Sequence, residues 1–437
     1  MKRLWSVAII LALISMISVG VMAKETITWW YENATPEQES ALLDNFVKAF
    51  NLNNPETQLV VRFDPNMDAN VRSAMLAGSG PDLVMTAGVG YAQQFIVDDY
   101  LLPLDDYAEK YGWFDRFLPI MIELGSFDGH LYALPKTYES MILFYNKTLF
   151  EEHGWKVPTN RAELDDIVSK MVEKGITPFA QGNADWRGNN EHYVGVFLNH
   201  YAGPENIYKA LKGELAWNDP VFVEAIALLN DFYQKGYFGE DYFSLGNEDF
   251  VTLMAMGEAG MSIIGTWGFQ WMNPIFGMTG QDWDWAPFPA LRDGVEYPFY
   301  DLGIGTTLSI NAKSKNPDAT AAALDMLTGD KTVIAGLNRD WPGEWNMPLA
   351  DLDADDFQGV VDPRYARHIE EVADAVEEGL YGYTTWTFWP QKTMQYIIEG
   401  IEVVWLGQLT PEQYMSKVNE IFQEELRDGA VPPIPTR

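Results

Sequence analysis

Residues 26–30 (Thr-Ile-Thr-Trp-Trp) are rich in β-branched and aromatic side chains, which predicts a first strand. Behind it, Thr35, Pro36 and Gln38 supply an N-cap, a first-turn proline and a capping-box partner, and Leu42, Leu43, Phe46, Val47 and Phe50 recur at helical spacing. Residues 57–63 (TQLVVRF) predict the next strand. A strand–helix–strand opening implies a parallel sheet with a right-handed crossover. Gly78-Ser79-Gly80-Pro81 then punctuates before an apolar strand at 82–85, which runs into a loop holding Gly88 and Gly90. The α/β alternation continues to a return strand at 305–310 and a helix at 317–327. Near the end, Thr410-Pro411-Glu412-Gln413 forms a second capping box, and Tyr414, Met415, Val418, Ile421 and Phe422 share one face of the helix it opens. From Val431 the chain is proline-rich and reads as an extended tail. No internal repeat and no low-complexity linker appears, so two interleaved lobes are expected rather than domains on a flexible tether.

The first 23 residues change the picture. Lys2 and Arg3 precede a short apolar run at 7–14, and Val21-Met22-Ala23 suits a signal peptidase, so residues 1–23 read as a signal peptide cleaved after Ala23. The apolar run is too short to span a bilayer comfortably. The chain has 437 residues, 47% hydrophobic and 21% charged, enough to fill large cores. It has no cysteine, which excludes disulfides, thiolate metal sites, a cysteine nucleophile and a lipid on an N-terminal cysteine. An exported, untethered protein is retained only behind an outer membrane, so the periplasm is the expected compartment. The net charge of −34 repels nucleic acid and anionic lipid, so no nucleic-acid partner is expected. Solubility accounts for that acidity equally well.

Catalytic signatures are missing: there is no GxSxG elbow, Walker A loop, GxGxxG turn or HExxH helix. The five histidines (His130, His153, His192, His200, His368) lack ligand spacing and read as structural or surface residues, with no cofactor or metal expected. A glycosidase needs only two facing carboxylates, and 63 acidic residues leave that alternative open. What stands out is the aromatic content, 16 Trp, 21 Tyr and 23 Phe. Sugar rings present apolar C–H faces and hydroxyls, so their sites combine flat aromatic plates with side chains that hydrogen-bond bidentately. Several tryptophans sit beside turn residues: Trp29-Trp30, Trp186-Arg187-Gly188, Gly265-Thr266-Trp267-Gly268, Trp341 with Trp345, and Trp386 with Trp389. Core packing explains any one of them as readily. Their repeated placement at strand ends favours a ligand site, because open α/β sheets bind ligands at the carboxyl ends of their strands.

Over roughly residues 26–426 the sequence resembles the family 1 extracellular solute-binding proteins, the maltose-binding type that serves ABC sugar importers. Four stretches carry the resemblance: SGPDLVMTAGVGYAQQ at 79–94 with LLPLDDY at 101–107; DGHLYALPKTYESMILFYNKTLFEEHGWKVPTNRAEL at 128–164, holding Tyr145-Asn146-Lys147; MGEAGMSIIGTWGF at 256–269; and GIGTTLSINAKSKNPDATAAALDML at 303–327. The resemblance implies an α/β fold of two lobes in the type II-like manner of periplasmic binding proteins. Hinge strands at 129–135 and 301–310 join the lobes, with 24–135 plus 306–360 in one and 136–305 plus 361–437 in the other. It implies a non-enzymatic, monomeric protein that closes over a neutral sugar or oligosaccharide and delivers it to the membrane permease subunits of an ABC importer. A polyol or glycerophosphodiester solute and a secreted glycoside hydrolase are the alternatives.

Position by position, the resemblance makes Trp267 the stacking tryptophan and Glu139 a glutamate bonded to the ligand, an interlobe salt bridge being the other role open to Glu139. Trp30, Glu32 and Asn33 follow the first strand and, with Thr86 and Gly88 after the Pro-Asp strand, are expected contacts. Trp186 and Arg187 in a loop of the second lobe, Asp301 before the return strand, and Trp345 and Trp386 in the late region complete the expected site. Asp82 is expected to buttress its strand instead.

Overall fold

The computed structural model describes residues 24–351, 354–357 and 359–435, so the predicted signal segment lies outside the described residues. The first strand extends one residue each way from its predicted limits, as Glu25–Tyr31 (β1), because Trp29 and Tyr31 alternate with Trp30 across the pleat and bury one face completely. It pairs in parallel with Thr57–Phe63 (β2), Thr26 opposite Gln58 and Tyr31 opposite Phe63, and on its other edge with Leu83–Thr86 (β3). Between β1 and β2 the helix opens as the sequence predicts: Thr35 caps Gln38 N while the Gln38 side chain accepts from Thr35 N at 2.7 Å. That helix runs to Asn53 with one wider turn at Leu43–Val47.

A hairpin of Ser126–Phe127 (β4) and His130–Leu131 (β5) leads to the two-residue strand Leu134–Pro135 (β6). A second sheet then begins with Tyr138–Asn146 (β7) and takes in Thr177–Phe179 (β8), Ala259–Gly265 (β9), Trp283–Ala286 (β10) and Tyr300–Ile304 (β11). The chain returns to the first sheet as Thr307–Ile310 (β12), and Tyr381–Tyr383 (β13) completes the second. The strand orders are β2-β1-β3-β12-β6 and β13-β11-β7-β9-β8, with β10 along the far half of β7. The fold is therefore α/β with two lobes, each built on one sheet.

The lobes meet where two stretches cross side by side: Lys136 N donates to Thr306 O (2.8 Å) and Gly305 N to Thr137 O (2.9 Å). This crossing lies just past the predicted 129–135 segment and inside 301–310. The return strand consequently starts at Thr307, two residues later than expected, because Gly305 and Thr306 are spent on the crossing. A further stretch at 341–350 passes beside it, with Tyr138 N donating to Asn346 O at 2.9 Å. Asp82 buttresses the first sheet as expected, accepting from Thr28 N (2.9 Å), Thr28 Oγ1 (2.9 Å) and Ser314 Oγ (2.6 Å).

Helix Asn189–Ala202 is buried along most of its length, polar residues included. It therefore has no amphipathic stripe in sequence, and its polar groups must find partners inside. Asn199 does so through a two-way pair with Tyr383, Asn199 Nδ2 to Tyr383 O and Tyr383 N to Asn199 Oδ1, both 2.9 Å. Against it pack Pro220–Gln234 and Gln391–Trp405, and across those two lies Pro411–Arg427 with the predicted Thr410–Gln413 capping box. Tyr414, Met415, Val418 and Phe422 on its predicted face are buried, while Ile421 is only half-buried.

Candidate functional site

Four aromatic rings of the second lobe converge beside the crossing. Trp267 follows the end of β9, where the chain turns sharply and the ring folds back over Gly265; a β-carbon there would stand 2.1 Å from the ring. Trp186 folds over Gly188 in the same way. The Gly-x-Trp and Trp-x-Gly spacings are thus seats for these rings. His192, on the first turns of the buried helix, lies between them: its ring centre is 5.0 Å from Trp267, 4.9 Å from Trp386 and 5.3 Å from Trp186. Trp267 and Trp386 are 5.9 Å apart at 71°. Trp267 is half-buried and Trp186 is 37% exposed, so both present faces to solvent, whereas His192 and Trp386 are nearly covered. Burial pushes the His192 imidazole down to about 3, so it is neutral at physiological pH.

Beneath these rings lies a group of charges. Lys136 at the crossing is fully buried, ion-paired with Glu344, bonded to Tyr31 Oη at 2.7 Å, and 4.5 Å from the Trp345 ring centre. Tyr31 Oη in turn donates to Glu344 Oε1 at 2.9 Å. Glu139, the second residue of β7 and 5% exposed, lies against the backbone at Gly305, where a side chain would overlap its carboxylate. Burial, reinforced by Glu344 and opposed by Lys136, holds Glu139 well above the usual carboxylate range. The same causes push half-buried Glu32 up to about 8. Three carboxylates therefore surround one ammonium, and Glu32 and Glu139 hold their protons far more tightly than exposed acids do. The two groups are contiguous: a side chain at Gly343, next to Glu344, would meet Thr266 O and the Trp267 backbone, and one at Gly303, opposite Glu139, would meet the Trp386 indole nitrogen.

The first lobe contributes Tyr91 and Asp68. Tyr91 is half-buried, and its hydroxyl is raised by burial and then by the Glu191 charge from across the cleft. Asp68 reaches solvent, yet the protein around it raises its carboxyl, with Arg72 opposing. Buried Glu191, beside Thr385, is raised by burial to about 8.

Of the residues expected from sequence, Trp267, Trp386, Trp186, Glu139 and Glu32 converge here. Trp30 occupies the opposite pleat face from Trp29, with the Arg62 guanidinium 4.6 Å above its ring, and Asn33 is exposed beyond Glu32. Thr86 is turned inward, bonded to Thr307 Oγ1 (2.6 Å) and Gly88 O (3.1 Å), and Gly88 is covered by Trp386. Arg187 is held by Glu402 through Nε (2.9 Å) and Nη2 (2.7 Å), so its fork is already filled. Two expectations are corrected by burial. Asp301 is 1% exposed and lies 3.5 Å from His200 Nε2 inside the second lobe. Trp345 has no exposed surface; it packs on Trp29, Tyr31 and Trp341 and supports Lys136 from below. Conversely, sequence reasoning missed Lys136, Glu344, Glu191, Tyr91, Asp68 and His192. Only for Lys136, one residue past the hinge segment at 129–135, was a positional signal available.

Such a cleft can accept hydrogen bonds from several hydroxyls while offering flat apolar faces above them. An uncharacterized ABC transporter extracellular-binding protein of Pyrococcus horikoshii is 25% identical over 319 residues, covering 70% of this chain and 68% of that one. The sn-glycerol-3-phosphate-binding periplasmic protein of Escherichia coli is 26% identical over 263 residues, 57% of this chain and 58% of that one. A solved structure connected with xylan utilization by the thermophilic bacterium Caldanaerobius polysaccharolyticus superposes with a TM-score of 0.79 at 24% identity, over 91% of this chain and 99% of that one. The family model of the bacterial extracellular solute-binding protein matches residues 33–334, more than half of the chain, and the chain belongs to that family.

Proposed function

We propose that this protein is the periplasmic substrate-binding component of an ABC importer, and that it captures a neutral sugar or oligosaccharide by closing two lobes about the crossing at 136–137 and 305–306. The observation that carries the reading is the juxtaposition of the Trp267, Trp386 and Trp186 rings with the Glu32–Glu139–Glu344 carboxylates. Sugars bring hydroxyl donors for the carboxylates and C–H faces for the rings. The make-up of the two sheets supports lobes of 24–135 plus 306–360 and 136–305 plus 361–437. The solute touches both lobes only when they are closed, so binding shifts the population toward that state, which the permease subunits then recognise. The protein acts as a monomer and releases its solute unchanged.

The Escherichia coli relative favours a second reading, a glycerophosphate-type anion. Electrostatics weigh against it. Lys136 is committed to Glu344 and Tyr31, Arg187 to Glu402, and Arg72 faces Asp68. An anion entering this partly dry site finds no uncommitted cation among these residues, so the desolvation of its charge is not offset by pairing.

A thermal-shift screen of the chain from residue 24 against neutral mono- and oligosaccharides, glycerol phosphates, polyols and uronates tests this. A solute at a hundredfold excess over its dissociation constant adds about 2.7 kcal/mol of stability. A shift with a neutral sugar that is recovered intact by chromatography is the expected result. A shift with glycerol phosphate alone favours the second reading, and consumption of the sugar reveals a hydrolase.

A further inference from the structure

The short helix Thr385–Phe388 is fixed to the second lobe at the strand that feeds the crossing. Thr384 Oγ1 donates to Leu302 O (3.0 Å), Ile304 N donates to Thr387 Oγ1 (2.9 Å), and the two threonine hydroxyls bond each other at 3.0 Å. The other side of this helix meets the first lobe. The carbonyl oxygens of Trp386 and Trp389 lie over Gly88 and Gly90, at the start of helix Val89–Val97. A β-carbon at Gly88 would stand 2.8 Å from the Trp386 oxygen, and one at Gly90 would stand 3.1 Å from that oxygen and 3.2 Å from the Trp389 oxygen. All three distances are shorter than ordinary van der Waals contact, so the two lobes fit at this point because both positions lack a side chain.

Trp386 belongs to two assemblies at once. Its carbonyl seats on the first lobe, while its ring forms part of the aromatic group with Trp267 and His192. We propose that helix 385–388 is a closure latch: its carbonyls dock on the Gly88–Gly90 backbone when the lobes close, and the Trp386 ring couples that docking to occupancy of the cleft. The coupling rests on the reading of the cleft as the solute site. The docking of carbonyls on glycines stands without it.

The two glycines separate latch from fold. Gly88 has φ +105°, so any side chain there strains the backbone as well as the seat. Gly90 lies in the first turn of its helix and has no positive φ, so a side chain there disturbs only the facing lobe. Alanine is also the better helix former. Gly90→Ala therefore separates two effects: helix stability rises or holds while closure weakens. The apparent dissociation constant scales inversely with the closed fraction, so loss of closure weakens binding in proportion.

The chain has no cysteine, so nitroxides on Ala69→Cys in the first lobe and Gln395→Cys in the second, both exposed positions, report interlobe distance without background. In the protein without added solute, Gly90→Leu is expected to reduce the closed population at least twofold, with Gly90→Ala showing a smaller shift in the same direction and a Tm at or above wild type. For a sugar that binds wild type, affinity is expected to fall threefold or more in Gly90→Leu. A distance distribution identical to wild type in both variants overturns the latch, as does a lowered Tm with unchanged distances. If Gly90→Leu does not fold, Gly90→Ala alone carries the test. A shifted distribution in a protein that binds no sugar supports the latch while removing the carbohydrate reading.

Discussion

Trp267 is half-buried, folded over Gly265, with His192 and Trp386 beside it and one face toward the cleft. Replacing it with alanine removes a stacking surface without opening a core, so Trp267→Ala is expected to cost about 1–3 kcal/mol of solute affinity with little loss of stability. Titration calorimetry with the solute found by screening checks it, and unchanged affinity would remove Trp267 from the site. At this scale the legible residues were those with a local signature. Trp267 and Trp186 each stand two residues from the glycine that seats the ring, a spacing that the chain displays directly. Glu344 and Lys136 have no such mark. Their meaning comes from facing each other across 208 positions of sequence. Trp345 misled for the same reason, since a tryptophan beside a turn looks alike whether its ring points into the cleft or beneath a buried lysine.

Among the elements, helix ends divide into those closed by neighbours in sequence and those closed by neighbours in space. Thr35 with Gln38 and Thr410 with Gln413 belong to the first kind and were readable from three-residue spacing. Helix Gln391–Trp405 belongs to the second. Its N-cap is Pro390, which offers no side-chain acceptor. Instead Glu425, near the end of Pro411–Arg427, reaches over and accepts from Lys392 N (2.8 Å), Thr393 N (2.8 Å) and Thr393 Oγ1 (2.7 Å). A carboxylate at a helix N-terminus satisfies otherwise orphaned amides and meets the positive end of the dipole. Glu425→Ala strands these buried donors, so a loss of about 2 kcal/mol in unfolding free energy is expected. Urea denaturation measures it; a change under about 0.5 kcal/mol would show that water caps the helix equally well.

For the molecule as a whole, buried titratable groups set opposing pH dependences. His192 and His368 are held neutral by burial, down to about 3, while the unfolded chain protonates them below their usual value of 6.5. The unfolded state therefore binds more protons across that interval, and stability rises as pH climbs from about 3 to 6.5. Glu32 and Glu191 run the other way. Burial raises both to about 8 from 4.5, so the folded state holds protons that the unfolded chain has released, and stability falls as pH climbs through that window. Tm is expected to peak on the mildly acidic side of neutrality and to decline by pH 8. Glu191→Gln, which keeps the shape without the titration, should flatten the alkaline side of that profile. A Tm that rises steadily to pH 8 would contradict the buried-acid assignment.

Sequence by itself determined the alternation of strands and helices, the capping boxes, the glycine-seated tryptophans and the family, because each rests on spacings of a few residues. It also indicated that the lobes interleave, since no linker separates them. Tertiary structure alone decided that the crossing sits at Lys136–Thr137 against Gly305–Thr306, that three glutamates share one lysine there, and that Asp301 and Trp345 are buried away from the cleft. The reason is physical. A carboxylate's proton affinity and a tryptophan's solvent face depend on what the return strand and the 341–350 stretch bring alongside them, and those partners lie hundreds of residues away in the chain.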